Sequence, residues 1–196
     1  MSTIKTTNIT HGSNSGTNNL ILDDTGKVTV AEKKLHCPGT IIQVVSTIKT
    51  DAIAGTNIAD EAWLTVSGLT ATIAATTATK KKLITGYISL SASTGERVFY
   101  RLTAGGSVID AATGDAAGDR ARTTGGCQAF TAGITSIPIN YLHTPGNTTS
   151  TSYGLDISHG AGGTTDVSVN MQRSSDDNYW DRVRSTSVLT LMEVVA

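Results

Sequence analysis

Apolar residues recur at alternate positions along most of this chain. Ile41, Ile42, Val44 and Val45 open the series, and over residues 63–73 the apolar positions are Leu64 and Val66, then Leu69, Ala71 and Ile73. The phase slips by one at Gly68, which predicts a β-bulge. Ile84, Ile88 and Leu90 share one parity with Gly86 in step, and Val98, Tyr100 and Leu102 lie opposite Phe99 and Arg101. Ile137, Ile139 and Tyr141 repeat the pattern, as do Tyr153, Leu155 and Ile157, and then Val167, Val169 and Met171. A period of two puts successive side chains on opposite faces of a pleated strand, so each run predicts a strand with one buried face. Turn residues separate the runs, and roughly eight to ten such strands predict an all-β, jelly-roll-like antiparallel β-sandwich. Residues 188–195 are apolar at nearly every position, which predicts a strand in the middle of a sheet or at a subunit contact. Residues 111–121 are rich in Ala, but Gly114 and Gly118 interrupt them and no apolar stripe forms, so a long loop is expected there.

The first part of the chain reads differently. Residues 6–19 are polar and rich in Gly, Ser and Asn, with too little apolar content to fold alone. Leu20-Ile21-Leu22 and Val28-Thr29-Val30 then flank Asp23-Asp24-Thr25-Gly26, which predicts a small hairpin. A lone hairpin is marginal in water and needs a partner surface, most simply another copy of the chain. Cys37-Pro38-Gly39 marks a boundary. The expected organisation is therefore an extended anchor or stalk with a hairpin over residues 1–37 and a sandwich knob over residues 38–196.

Composition narrows the function classes. The chain has 196 residues and a net charge of −1, so no basic surplus points to nucleic acid. No run of about 18 apolar residues predicts a transmembrane helix, and the start does not read as a signal peptide. Thr and Ser are abundant, which favours strands and turns over helices. Cys37 and Cys127 are far apart with no CxxC, so free thiols are expected rather than a disulfide framework.

Several blocks resemble a domain of bacteriophage tail-fibre and appendage proteins. They are Pro38-Gly39-Thr40-Ile41-Ile42-Gln43-Val44-Val45, Lys49-Thr50-Asp51, Phe99-Tyr100-Arg101-Leu102, Gly114-Asp115-Ala116-Ala117-Gly118-Asp119-Arg120 and Asn140-Tyr141-Leu142, followed by the run over residues 185–194. They follow the family's order and span most of residues 38–196. Ser2-Thr3-Ile4-Lys5 with the hairpin also resembles starts seen in phage fibre genes. The resemblance implies a structural virion protein, a homotrimer whose β-sandwich knob contacts the host cell surface, with no catalytic motif to carry over. Three hairpins around a shared axis would then bury Leu20, Leu22, Val28 and Val30, and other virion proteins would meet the N-terminal segment. A head fibre or capsid-decorating protein docked on the shell is the alternative within the virion, and a polysaccharide depolymerase is the enzyme alternative.

Candidate chemistry is sparse. His11, His36, His143 and His159 are scattered without metal-ligand spacing, and His36 beside Cys37 offers two ligands only. Asp176, Asp177, Asn178 and Asp181 form the densest acidic group, bracketed by Arg173, Arg182 and Arg184, but lack the spacing of a calcium loop. Asp110, Asp115 and Asp119 with Arg120 and Arg122 predict a salt-bridged loop. A glycosidase would need two carboxylates at a set separation, with Asp115 or Asp177 as the acids to examine. No cofactor, no metal and no catalytic activity are expected. Tyr179 and Trp180 beside carboxylates suit a receptor glycan or protein, because a ring covers apolar C–H faces while polar groups bond hydroxyls. Packing in a core or interface is the other reading of Trp180. Asn147, in the polar loop over residues 144–152, is the third candidate receptor contact. Trp63 is expected in the core, and Lys80-Lys81-Lys82 in an exposed turn or guarding a sheet edge.

Overall fold

The computed structural model describes residues 8–9, 20–22, 24–25, 27–30, 37–92, 95–129, 133–160, 162–172, 178 and 180–195. Near its start, β1 (Asn8–Ile9), β2 (Leu20–Leu22) and β3 (Val28–Val30) form a three-stranded antiparallel sheet, with Leu20 paired to Val30 and Leu22 to Val28. The hairpin expected at residues 20–30 is therefore present.

Two larger antiparallel sheets follow. The first holds β4 (Ile41–Lys49), β5 (Ile53–Ile58), β8 (Lys81–Ala92), β12 (Thr135–His143), β14 (Thr165–Val169) and β15 (Ser187–Val194). The second holds β6 (Leu64–Thr65), β7 (Ala71–Ile73), β9 (Arg97–Ala104), β10 (Ser107–Val108), β11 (Gly125–Gln128) and β13 (Thr151–His159). Strand β8 is 12 residues long, so β15 pairs with its residues 81–87 and β14 with its residues 90–92 on the same edge. Strands β4 and β5 continue end to end in the same way, as do β6 with β7 along β13 and β10 with β11 along β9. Counting each jointed pair once gives eight strands. The first sheet then reads first, eighth, third, sixth, and the second reads second, seventh, fourth, fifth. That order is a jelly roll, in which strands cross repeatedly between two packed layers.

The alternation read from the sequence decides the core. Ile84, Ile88, Leu90, Leu189 and Leu191 of the first sheet meet Val98, Leu102, Leu155 and Ile157 of the second, all fully buried. The closing strand β15 runs between β4 and β8, in the middle of a sheet as its double-sided apolar pattern predicts. Two tyrosines tie the layers together. Tyr100 Oη donates to the Pro138 carbonyl at 2.9 Å, and Tyr153 Oη pairs with His143 Nδ1 at 2.9 Å. Burial pushes the Tyr153 hydroxyl up to about 12, so it stays protonated.

Two expectations need correction here. The phase slip at Gly68 is a turn between β6 and β7 rather than a bulge: Gly68 has φ +76°, and both short strands pair with β13. The loop expected over residues 111–121 is present and is entered by one 3-10 turn at Asp110–Ala112. Lys80 and Lys82 are buried, because Lys82 shares its parity with Ile84 and points into the end of the sandwich. There its Nζ lies 3.2 Å from Glu193 Oε1, which also accepts from the Thr76 amide at 2.6 Å, while Gln43 Nε2 bonds Oε2. Burial alone would raise the Glu193 carboxyl, but the Thr76 amide, Gln43 and Lys82 outweigh it and hold the group below its ordinary value.

The joints have their own clasp. Asn170 is buried in the left-handed region at φ +59°, which Asn tolerates better than most residues. Its Nδ2 donates to the carbonyls of Lys49 and Asp51 at 2.8 and 3.0 Å, and its Oδ1 accepts from Ser187 Oγ at 2.6 Å. One side chain thus joins the β4–β5 break to the β14–β15 break. At the end where β4 starts, Gly39 N bonds Val195 O at 2.8 Å and Val195 N bonds Thr40 O at 2.9 Å.

Candidate functional site

The outward face of the first sheet carries two apolar rows across four of its strands. The register lines up Ile48, Val188, Tyr87 and Pro138 in one cross-strand row, and Val44, Met192, Leu83 and Leu142 in another. Ser46, Thr190, Thr85 and Asn140 form the row between them, with Ser46 Oγ and Thr190 Oγ1 2.8 Å apart. None of these positions carries a charge. An antiparallel sheet with one solvated face ordinarily alternates apolar inside and polar outside. Here Ile48 is 62% exposed, Val44 56% and Leu142 46%, so the sheet presents two exposed apolar rows on either side of an uncharged polar one. Among the described residues no strand pairs with the outer edge of β4, and Pro138 lies in β12 at the other edge, where a missing N–H breaks no ladder.

The outward face of the second sheet is charged and partly covered. Arg97, Phe99 and Arg101 project from β9. Arg101 Nε and Nη2 both donate to Asp156 Oδ2, at 3.1 and 3.0 Å, and Thr65 Oγ1 donates to Asp156 Oδ1 at 2.8 Å. The same guanidinium lies 4.1 Å over the Trp63 ring, a cation–π contact that fixes the indole. Trp63 is consequently half-buried outside the sheet and not in the core between the layers. Over residues 113–124 the chain forms a loop braced by Arg122, whose Nε donates to the Gly114 carbonyl at 2.8 Å and whose Nη1 lies 3.6 Å from Asp110 Oδ1. Between this loop, the turn carrying Asp60 and Glu61, and the end of β13 lies a cleft of about 660 Å³. Trp63 and Phe99 line it, together with Arg97, Asp119 and Arg120. Gly160 passes against Phe99 so closely that a Cβ there would sit 2.7 Å from the ring. Glu61 holds φ +59°, an uncommon conformation for a residue with a side chain.

The sequence-derived candidates scatter over the molecule. Leu20 is half-buried and Val28 is 56% exposed, while the side chains of Leu22 and Val30 fall outside the described set. Asn147 is exposed, but its side chain shapes its own loop: Nδ2 donates to the Pro145 carbonyl at 3.1 Å, and Oδ1 accepts from the Thr149 amide at 3.0 Å. Trp180 is 97% exposed, which removes core packing as its explanation. Tyr179, Asp176, Asp177, Arg173, His11 and His36 lie outside the described residues. The loop with Asn147 follows His143, paired to Lys82, whereas the loop with Trp180 follows β14, whose Val169 pairs with Leu90. Those exits are roughly 26 Å apart along β8 by the rise of a strand, so the two candidates do not form one site. Asp181 is exposed, with Arg182 Nε 4.0 Å away.

His159 is buried, its Nε2 2.8 Å from the Ile58 carbonyl, and burial lowers the His143 imidazole below its ordinary value. Cys37 is exposed, Cys127 half-buried, and neither forms a disulfide. Among the described residues, no group of three or more His, Cys, Asp or Glu side chains is arranged to hold a metal ion. Sequence reading missed the cleft and the apolar rows. The signals were an aromatic between two arginines on the outward parity of β9, and a β4 that is apolar on both parities.

No protein-family model matches the chain, and no curated protein matches it. Among solved structures, it is similar to that of infectious bursal disease virus Gt strain at 14% identity and a TM-score of 0.43, over 95% of this chain and 47% of that one. The Gx strain of the same virus gives 18% identity, a TM-score of 0.39, and coverage of 88% and 41%. A mutant VP2 protein of infectious bursal disease virus, from derived particles, gives 17% identity, a TM-score of 0.39, and coverage of 88% and 40%. The chain spans less than half the length of these solved chains.

Proposed function

We propose that this chain is a non-enzymatic structural component of a phage particle, a homotrimeric fibre whose jelly-roll knob meets the host surface. The observation that carries the reading is the pair of apolar rows on the outward face of the first sheet, each four strands wide and without charge. Such a patch on a sheet face is what an assembly contact between copies requires, because association removes apolar surface from water. The jelly roll is an architecture that viral shells and lectins use, and the sequence blocks resembling phage appendage proteins run through both sheets. In this reading the hairpin at residues 20–30 adds a second apolar contact near the point of attachment. Many weak host contacts presented together then supply avidity.

The test is the native mass of the full chain by light scattering, measured beside two variants. Trimers of the parent, with monomers from Val44→Asp/Leu142→Asp, place the main contact on the sheet face. Trimers lost instead in Leu22→Asp/Val28→Asp make the hairpin the clamp and keep the fibre. A parent that stays monomeric overturns the fibre and leaves a decoration module whose apolar face docks on the particle shell.

A further inference from the structure

The cleft on the second sheet has the makings of a binding site that the assembly reading does not use. Its volume of about 660 Å³ falls in the range of roughly 300–1,000 Å³ usual for small-ligand clefts. Its floor is aromatic, and it is rigid where it matters. Trp63 is held from one side by Arg101, which Asp156 in turn fixes with two bonds, and Ser158 Oγ donates to the Ala62 carbonyl at 2.6 Å beside it. Phe99 is backed by Gly160, and Arg97 Nη2 donates to the Gly160 carbonyl at 2.5 Å.

The rim is polar and of mixed sign. Asp60, Glu61, Asp119 and Arg120 are exposed along it, and no ion pair forms between them and other described residues. Glu61, in left-handed backbone that side chains other than Gly adopt at a cost, belongs to this rim.

These features select a ligand class. Three carboxylates against two guanidiniums, one of them already bonded to Gly160, disfavour a phosphate or another anion. Ring faces that cover C–H groups, surrounded by side chains that both accept and donate hydrogen bonds, fit a neutral polyhydroxylated chain. We infer that the cleft binds a neutral oligosaccharide, stacked on Trp63 and Phe99 and held through its hydroxyls by Asp60, Glu61, Asp119 and Arg120. This deepens the host-attachment reading by naming the class of receptor and moving the contact away from Asn147 and Trp180.

The experiment is saturation-transfer NMR on the full chain with maltotriose, cellotriose and the N-acetylglucosamine trimer, and with sialyllactose as the anionic comparison. Transfer from at least one neutral trisaccharide, stronger than from sialyllactose, is expected. Trp63→Leu and Arg120→Ala are each expected to weaken binding by about tenfold. Arg120 is on an exposed loop, so its variant remains informative if Trp63→Leu fails to fold. Absence of transfer from all three neutral sugars overturns the proposal, as does transfer that survives both substitutions. Loss in Trp180→Leu instead puts the sugar on the loop after β14 and also overturns it. The outcome is separable from assembly: a monomer that binds sugar keeps the cleft without the fibre, and a trimer that binds none keeps the fibre without the cleft.

Discussion

The two outward faces of this sandwich are built on the same pleat and serve opposite chemistry. On the first sheet, Val44, Ile48, Leu142 and Met192 face outward without a charge between them. On the second, the corresponding positions hold Arg97, Phe99, Arg101 and Asp156, covered in part by the 113–124 loop. The inward faces do not differ in kind, since both fill the core with Leu, Ile and Val. What separates the faces is the alternate residue that folding leaves unconstrained. A jelly roll can therefore assign assembly to one face and a small-ligand cleft to the other, because copies packed through the first leave the second open.

The comparison can be broken at its base by Gly86→Ala. A Cβ there would sit 1.9 Å from the Val188 carbonyl oxygen, on backbone at φ +148°, so β8 and β15 can no longer pair. The expected loss is about 3 kcal/mol or more, read as a collapse of the denaturant midpoint, and it removes the apolar rows along with the fold. Next in size is Glu193→Gln, expected to cost about 3 kcal/mol because it leaves the buried Lys82 ammonium without its carboxylate.

That residue also sets a pH dependence. The folded Glu193 carboxyl sits below its ordinary 4.5, so its contribution is whole above that value and is lost as pH falls through the depressed one. Melting curves between pH 6 and pH 3 are expected to fall less steeply for Glu193→Gln than for the parent; equal slopes would assign the acid limb to other carboxylates. A smaller effect, about 1 kcal/mol, is expected from Asp156→Asn, since the Arg101 pair is partly solvated. The telling readout there is a more mobile Trp63 by fluorescence anisotropy, with the apolar face unaltered. The smallest effect on folding belongs to Ile48→Asp, within about 0.5 kcal/mol by urea titration of the separated chain, because its side chain already stands in solvent. The same variant is expected to bind less of a hydrophobic dye, and undiminished dye binding would deny that the row through Ile48 is an exposed apolar surface.

The strands were legible because a period of two is a strong signal, and parity proved a better guide than residue type. Lys82 and Glu193 share phase with Ile84 and Leu191, and the structure buries both despite their charge. Trp63 is out of phase with Leu64 and Val66, so the alternation already puts it on the outward face, while its size suggested a core position that the fold gives to others. The sheet order was not legible. It depends on two strands sharing one edge of β8, and on bonds such as Asn170 to Lys49, which join residues 121 positions apart. The cleft was hidden for the same reason, since its walls come from residues near 60, 99, 120 and 160. The hairpin was legible in its turn and flanking strands, because those are local.

The bonds joining Gly39 and Thr40 to Val195 hold the two ends of the sandwich side by side. Its point of entry and its point of exit are neighbours, so splicing residues 39–195 into a tight surface turn of an unrelated host protein would hardly spread that turn. The same closeness suits circular permutation: a short linker across those ends, with a new opening in the exposed loop around Asn147, should preserve both sheets. A permutant of that kind would carry the cleft at a chosen distance from any scaffold.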